Sequence, residues 1–174
     1  MSTDLLNYEE IRYQALRILE RNNILKPPVL AQRLAESYGF EVISAKFSHE
    51  HAALIAGFID VERQKIFVNH KDTPAQQNFT IAHELGHYLL RHHERESYKD
   101  SYSVLLRNMQ LEEHPMTEEV RMELEANWFA SNLLVPASFL RERVQQYPHA
   151  TEELLADMFG VELEVIHKRK LYLT

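Results

Sequence analysis

The chain contains no cysteine among its 174 residues. Disulfide bonds and thiolate metal ligands are therefore excluded, and any zinc ion must be held by histidine, aspartate or glutamate. Long apolar runs are also missing, since no segment approaches the roughly 20 apolar residues of a membrane-spanning helix. The opening residues, MSTDLLNYEE, carry acids where a secretory signal needs a basic start and an apolar run. We therefore expect a soluble, cytoplasmic protein.

Positive charge is scarce relative to negative charge. The 26 acidic residues outnumber the 19 basic residues and give a net charge of -7. A chain with this excess is repelled by a phosphate backbone. We therefore expect a protein or peptide partner, no direct binding of nucleic acid and no membrane association.

Helical periodicity dominates both ends of the chain. Apolar residues recur at helical spacing in residues 5–23, and KPPVLAQRLAESYG predicts a second helix with prolines in its first turn and Gly39 at its end. The helix that carries the motif described below is predicted from Asp72, Thr73 and Pro74 to about residue 92. The remaining predicted helices cover residues 117–134, 136–147, 151–160 and 161–170.

Three short runs between the second helix and the motif helix have the composition of strands. They are EVISAKF, AALIAGFIDV and QKIFVNH. Residues 93–116 lack a clean period and predict a loop with a broken helix inside it, which could border a cleft. The expected fold is α+β: one domain over residues 1–174, mostly helical, with a small three-stranded antiparallel sheet beside the motif helix, as in zincins.

The run FTIAHELGHYLLRHH, residues 79–93, contains an HExxH motif. His83 and His87 lie about 6 Å apart along a helix axis and about 40° around it, so both rings can point at one ion. Glu84 lies to the side, where its carboxylate can take a proton from water activated by the metal. The alternative is a helix whose solvent-facing side happens to carry two histidines.

The rest of the motif helix favours the metal site over that alternative. Its apolar residues cover most of the circumference, and the HExxH residues share one arc of about 100°, which predicts that they occupy the single wet side. Gly86 in mid-helix costs about 1 kcal/mol relative to alanine. We therefore expect another element to approach the backbone at Gly86.

A third protein ligand is needed to complete a catalytic zinc site. His93 occupies the spacing of HExxHxxGxxH proteases, but residue 90 is Leu90 rather than the required glycine, and on a continuing helix His93 faces away. Glu123 is the better candidate. On the predicted helix it falls on the buried side, where a carboxylate must be paired or bound to a metal.

Two alternatives remain for this acid. Glu123 could form a buried salt bridge with an arginine, or Glu125, which the helical wheel places on a solvated stripe, could be the ligand. Asn127, one turn beyond Glu123, could hydrogen-bond a ligating histidine.

The residue that stabilises the oxyanion is not evident from the sequence. His92 and His93 are expected to be solvated residues at the helix end. An extended substrate is expected to add as a strand to the sheet edge near AALIAGFID or QKIFVNH. The candidates for the oxyanion donor are Tyr98, Tyr102, His114 and Arg91.

Taken together, these segments resemble the ImmA/IrrE family of zinc metallopeptidases. The resemblance spans roughly residues 25–165 and rests on FTIAHELGHYLLRHH, on ELEANWFASNLLVP and on GFIDVERQKIFVNHKDTPAQQNF. It implies zinc held by His83, His87 and Glu123, with Glu84 as catalytic base. It also implies that the substrates are helix-turn-helix repressors of phages, mobile elements or stress regulons. The family usually has methionine where Val135 stands.

Two other functions compete with peptide hydrolysis. In the first, the protein keeps zinc but grips a repressor, as in a toxin-antitoxin module, without turnover. In the second, LLADMFGVELEVIHKRK acts as a DNA-binding helix-turn-helix, whose spacing it resembles. Glu162 and Glu164 would face phosphates in that arrangement, which disfavours it.

Overall fold

The computed structural model describes residues 8–47, 55–95, 104–106 and 115–173. Within these ranges most of the chain is helical, as the sequence predicts. None of the helices in these ranges has the length and apolar character needed to cross a membrane. The helices are α1 (Tyr8–Arg21), α2 (Ala31–Ser37), α3 (Pro74–Leu89), α4 (Glu118–Leu134), α5 (Ala137–Gln146), α6 (Glu152–Phe159) and α7 (Leu163–Leu171).

Helices α3 and α4 begin where their capping residues predict. The Thr73 hydroxyl accepts a hydrogen bond from the Gln76 backbone N–H at 3.2 Å, and the Gln76 side chain accepts one from the Thr73 N–H at 3.0 Å. This reciprocal pair satisfies two backbone donors that a helix start leaves open. Thr117 accepts from Val120 N–H in the same way at the start of α4.

Helix α3 ends earlier than predicted, at Leu89 rather than near residue 92. Arg91 adopts a left-handed conformation with φ of 60°, and a single 3₁₀ turn, His92–Glu94, follows it. A left-handed residue cannot continue a right-handed helix. The chain therefore turns back toward α4 instead of running on.

Helix α2 starts later than predicted, so its prolines precede it instead of occupying its first turn. Its first N–H group, that of Ala31, donates to the Asn78 side chain of α3 at 2.9 Å. The Asn78 amide nitrogen donates in turn to the carbonyls of Val29 and Gly160, at 3.0 and 3.3 Å. The start of α2 is thus set by a side chain 47 residues away, which the local sequence does not reveal.

The sheet has four strands in the order β1-β3-β2-β4. Strands β2 and β3 form the expected antiparallel hairpin, but β1 pairs with β3 in parallel, from Glu41 opposite Lys65 to Ala45 opposite Asn69. The sheet is therefore mixed, and the purely antiparallel expectation was wrong in this detail. The strands are β1 (Glu41–Ala45), β2 (Ile55–Asp60), β3 (Lys65–Asn69) and β4 (Val104–Leu106).

Strand β4 comes from the stretch that was predicted to be a loop, and it changes where a peptide could bind. It pairs antiparallel with β2, opposite Gly57 and Phe58. Strand β3 therefore has neighbours on two sides, and β4 covers β2 from Ile55 to Phe58. Strand addition by a substrate requires a free edge, which neither β3 nor this part of β2 offers.

Glycine at position 57 lets α3 lie directly on the sheet. A Cβ atom there would meet the Phe67 carbonyl oxygen at 2.4 Å and Thr80 Cγ2 at 2.6 Å, both far too short. Thr80 stands in α3, one turn before His83. The motif helix is therefore fixed against β2 and β3 on one side while α4 covers the other.

The C-terminal helices each contribute a few residues to the buried core. Gly160 takes a left-handed conformation with φ of 64° between α6 and α7, and Phe159, Val161 and Ile166 around it are buried. In the DNA-binding interpretation the helix after the turn, α7, would lie in a groove of DNA. Its buried residues are Ile166 and Arg169, and Glu164 lies on its exposed side.

Candidate metal centre

Helices α3 and α4 bring two histidines and one glutamate to a common point. His83 Nε2 lies 3.1 Å from one carboxylate oxygen of Glu123, and His87 Nε2 lies 3.3 Å from the other. The two Nε2 atoms are 3.0 Å apart. These three residues form a group that could hold a metal ion.

The separations of the three donors suit a small divalent cation. A tetrahedral zinc ion with bonds of about 2.0–2.1 Å holds its donors about 3.3 Å apart. The two Nε2 atoms are 3.0 Å apart, and they lie 3.1 and 3.3 Å from different oxygens of Glu123. One ligand atom from each residue can be chosen so that all three lie within 4.8 Å of one another. Two imidazoles and one carboxylate are also a known ligand set of catalytic zinc. The residues present therefore fit a zinc ion.

The HExxH side of α3 is not wet, contrary to the expectation. His83 and Glu84 have no exposed surface and His87 is 1% exposed. Helix α4 packs across this side of α3, so the polar arc faces a carboxylate rather than solvent. Glu123 itself keeps 16% of its side chain exposed.

Burial and mutual contact set the protonation of the three donors. Burial lowers the pKa of His87 to about 4, although the interaction with the Glu123 carboxylate acts in the opposite direction. Burial acts on His83 in the same direction, but the hydrogen bond and charge of Glu123 outweigh it and raise the pKa of His83. Burial alone would raise the pKa of Glu123, yet the two histidines hold it below its usual range. The cluster thus contains an ionised carboxylate, that of Glu123, and a neutral imidazole, that of His87, and both can bind a cation.

Glu84 is buried beside this cluster with both carboxylate oxygens lacking a hydrogen-bond partner in the described part of the chain. Burial raises the pKa of Glu84 to about 8, although the charge of His83 opposes the rise. An ionisable group left in this condition costs stability, since buried carboxylates are normally paired. The backbone of Ile59 also acts on this carboxylate and opposes the rise in its pKa.

The backbone approach expected at Gly86 is present. A Cβ atom at this position would lie 2.9 Å from Cδ1 of Phe129, a fully buried residue of α4. Glycine therefore allows α3 and α4 to come close enough for Glu123 to reach the histidines. Asn127, on the same helix, lies with its Oδ1 2.9 Å from His83 Nδ1 and can accept a hydrogen bond from it.

Two residues near the site were misjudged from the sequence. His92 is fully buried rather than solvated, and its two ring nitrogens lie 2.9 Å from His87 Nδ1 and 2.9 Å from the Glu125 carboxylate. Glu125 is 9% exposed and does not lie on a solvated stripe, because the turn after α3 covers it. Only the left-handed conformation of Arg91 produces this contact, and no glycine or proline marks it in the sequence.

The remaining candidates lie away from the cluster or outside the described residues. The His93 ring stacks on Tyr88, with ring centres 5.3 Å apart, and His93 is not in the metal-binding group. Arg91 points to solvent and pairs with Glu94 at 2.8 Å. Three of the four candidates for the oxyanion donor, Tyr98, Tyr102 and His114, lie outside the described residues.

The sequence matches the family model described as the IrrE N-terminal-like domain of the M78 peptidases over residues 35–170. Among solved structures the chain is similar to a Mycobacterium tuberculosis transcriptional regulator, with 18% sequence identity and a TM-score of 0.66. That alignment covers 92% of this chain and 46% of the regulator, so the chain spans about half of the regulator's length. At this identity the likeness concerns the fold alone. No curated protein matches the sequence.

Proposed function

Since the chain belongs to the M78 peptidase family with its IrrE N-terminal-like domain, we propose that it is a zinc-dependent endopeptidase of the cytoplasm. The observation that carries the proposal is the buried carboxylate of Glu84, without a hydrogen-bond partner in the described residues, next to three converging donor atoms. A structural cluster would pair that carboxylate, whereas a catalytic base has to keep it available for water.

In this proposal His83, His87 and Glu123 are the protein ligands of the zinc ion. When bound, zinc polarises a peptide carbonyl and lowers the pKa of water to about 7. Three protein ligands are the number that leaves a fourth position open for chemistry. Asn127 orients the ring of His83 by accepting its Nδ1 hydrogen, so that Nε2 presents a lone pair.

Glu84 acts as general base and then as general acid. Its carboxylate takes a proton from the attacking water and delivers it to the amine that leaves when the peptide bond breaks. Burial raises the pKa of Glu84 to about 8, which favours its protonated form. Positive charge at the three-donor position would lower that pKa and release the carboxylate for catalysis.

The substrate class that we propose is a helix-turn-helix repressor of a phage, mobile element or stress regulon. The net charge of -7 supports a protein partner over direct contact with DNA. The similarity to a solved transcriptional regulator, although limited to the fold, is consistent with a place in gene regulation. Cleavage of a repressor would relieve repression without any DNA contact by this chain.

The replacement of Glu84 by glutamine tests the mechanism. Glutamine keeps the shape of the side chain but cannot accept the proton, so we expect zinc to stay bound and hydrolysis to fall by at least about 10²-fold. The assay incubates the zinc-loaded protein with a library of peptides and follows new termini by mass spectrometry, with and without a chelator. Cleavage by the glutamine variant at the wild-type rate would remove Glu84 from the mechanism.

The enclosed position of the site favours a second candidate function. His83, Glu84 and His87 are almost fully buried, and the part of the group that is open to solvent is Glu123, whose side chain is 16% exposed. A protein that holds zinc and binds a repressor without turnover does not need a peptide to reach the buried residues. In that case wild-type protein and the glutamine variant would retain a repressor equally, and neither would produce fragments.

A further inference from the structure

The second nitrogen of His87 contacts another buried histidine. Nδ1 of His87 lies 2.9 Å from Nδ1 of His92, and His92 has no exposed surface. The contact exists because α3 stops at Leu89 and the left-handed Arg91 turns the chain back over the last turn of α3. His92 therefore packs against the ring of His87, with ring centres 4.9 Å apart.

The other end of His92 is held by an acid from α4. Its Nε2 lies 2.9 Å from a carboxylate oxygen of Glu125, and the same oxygen accepts a hydrogen bond from the Arg95 guanidinium at 3.3 Å. Glu125 and Arg95 also line a surface groove beside α1. A continuous chain of contacts thus runs from that groove to His87.

Hydrogen bonding fixes the proton positions along this chain. The Glu125 carboxylate only accepts, so Nε2 of His92 carries the hydrogen and Nδ1 of a neutral His92 is an acceptor. The two Nδ1 atoms at 2.9 Å need one hydrogen between them, which then belongs to His87. This assignment puts the lone pair of His87 on Nε2, the atom that faces Glu123 and His83.

We propose that Glu125 and His92 are positioning residues that hold His87 in the tautomer and orientation required for metal binding. The proposal rests on the metal centre of the proposed function and adds two residues to it. The two ligating histidines are then supported differently: His83 by the Asn127 amide, and His87 by a histidine with a carboxylate behind it. A carboxylate behind a ligating imidazole raises its basicity and fixes its direction.

Two variants test the relay. His92→Phe keeps an aromatic ring but removes the acceptor for His87 Nδ1. Glu125→Gln keeps the shape of the acid but introduces an amide donor, which can reverse the hydrogen bonds and leave the hydrogen of His87 on Nε2. We expect each variant to bind zinc about 10–100-fold more weakly, the usual effect of losing a partner behind a ligand.

The measurements separate positioning from simple loss of structure. Zinc affinity is obtained by competition with a chromogenic chelator, and the d–d absorption of the cobalt-substituted protein reports the geometry of the ligands. Thermal unfolding of the metal-free proteins shows whether each variant folds. His93→Phe is the matched control, because His93 stacks on Tyr88 and lies outside the metal-binding group. We expect wild-type affinity and spectrum for this control.

Each outcome bears on a different claim. Weaker zinc binding and an altered cobalt spectrum in folded His92→Phe or Glu125→Gln protein support the relay. Affinities within threefold of wild type, with an unchanged spectrum, overturn it while leaving the metal centre intact. Wild-type protein that binds neither metal refutes the metal centre and the relay together. If His92→Phe does not fold, the result for Glu125→Gln decides.

Discussion

Two regions of the molecule bury ionisable side chains, and they do so in opposite ways. At the crossing of α3 and α4, metal-binding atoms of His83, His87 and Glu123 lie within 4.8 Å of one another, and Glu84 beside them has no hydrogen-bond partner in the described residues. In α7, Arg169 is 3% exposed but donates to the carbonyl of Val135 at 3.0 Å. Burial alone therefore does not identify a functional group.

The arginine illustrates the structural use of a buried charge. Val135 caps the C-terminal end of α4, and its carbonyl is among the acceptors that a helix end leaves open. The Arg169 guanidinium satisfies that acceptor and also lies over the Trp128 ring, 5.4 Å from its centre. Burial lowers the pKa of Arg169 to about 10, which still leaves it charged at neutral pH. At the metal centre, by contrast, the two carboxylate oxygens of Glu84 have no hydrogen-bond partner in the described residues, and a bound cation would compensate for their burial.

The largest effect that separates the two regions should come from Glu123→Ala. The loss of the only carboxylate in the metal-binding group should weaken zinc binding by more than about 100-fold, which exceeds the loss of an outer partner. Zinc content after dialysis against a weak chelator measures the effect. Glu119→Ala, at an exposed position of the same helix, is the control, and full zinc occupancy in Glu123→Ala would refute this ligand.

Arg169→Met should have the opposite effect, a loss of stability without a loss of zinc binding. Methionine keeps much of the apolar volume but leaves the Val135 carbonyl without its donor, so we expect a loss of about 1–3 kcal/mol in the free energy of unfolding. Zinc affinity should not change. Lys168→Met is the control, because the Lys168 side chain is 62% exposed and forms an ion pair with Glu164 on the same helix. We expect its free energy of unfolding to stay within about 0.5 kcal/mol of wild type. Denaturant titration compares the two, and weaker zinc binding in Arg169→Met would abolish the distinction.

The smallest effect should come from Gly86→Ala. Overpacking against Phe129 costs about 1–3 kcal/mol, whereas replacing a helical glycine by alanine gains about 1 kcal/mol. We expect a net loss of about 1 kcal/mol in stability, together with weaker zinc binding because the helices are pushed apart. The same substitution in a Phe129→Leu background should be neutral or stabilising. An equal loss in both backgrounds would contradict the steric explanation.

Local signals in the sequence accounted for the helices and for membership of the family. The Thr73 and Thr117 caps fixed the starts of α3 and α4, and the mostly helical fold with a small sheet is confirmed. The resemblance to the ImmA/IrrE family is confirmed by the family match over residues 35–170. The helix starts depend on residues a few positions apart, and the family resemblance depends on the pattern of residues along continuous segments.

What could not be predicted depends on contacts between distant segments. The parallel pairing of β1 with β3 follows from the order of strands in the sheet, not from the composition of either strand. The start of α2 is set by Asn78, and the burial of Glu125 is set by the turn after α3. A helical wheel assumes that the helix continues, and it fails at Arg91, where a residue without a glycine's freedom takes a positive φ.

Asn78 also links an early segment of the chain to the turn between α6 and α7. Its one amide group joins the segment before α2, the first turn of α2 and the turn between α6 and α7, and it stands five residues before His83 in α3. A truncation that removed Gly160 and the last helix would take away one of its three partners and uncover apolar surface behind it. The turn between the last two helices therefore helps to hold the motif helix in position. We expect a chain shortened before Gly160 to be less stable, so assays should use the full chain.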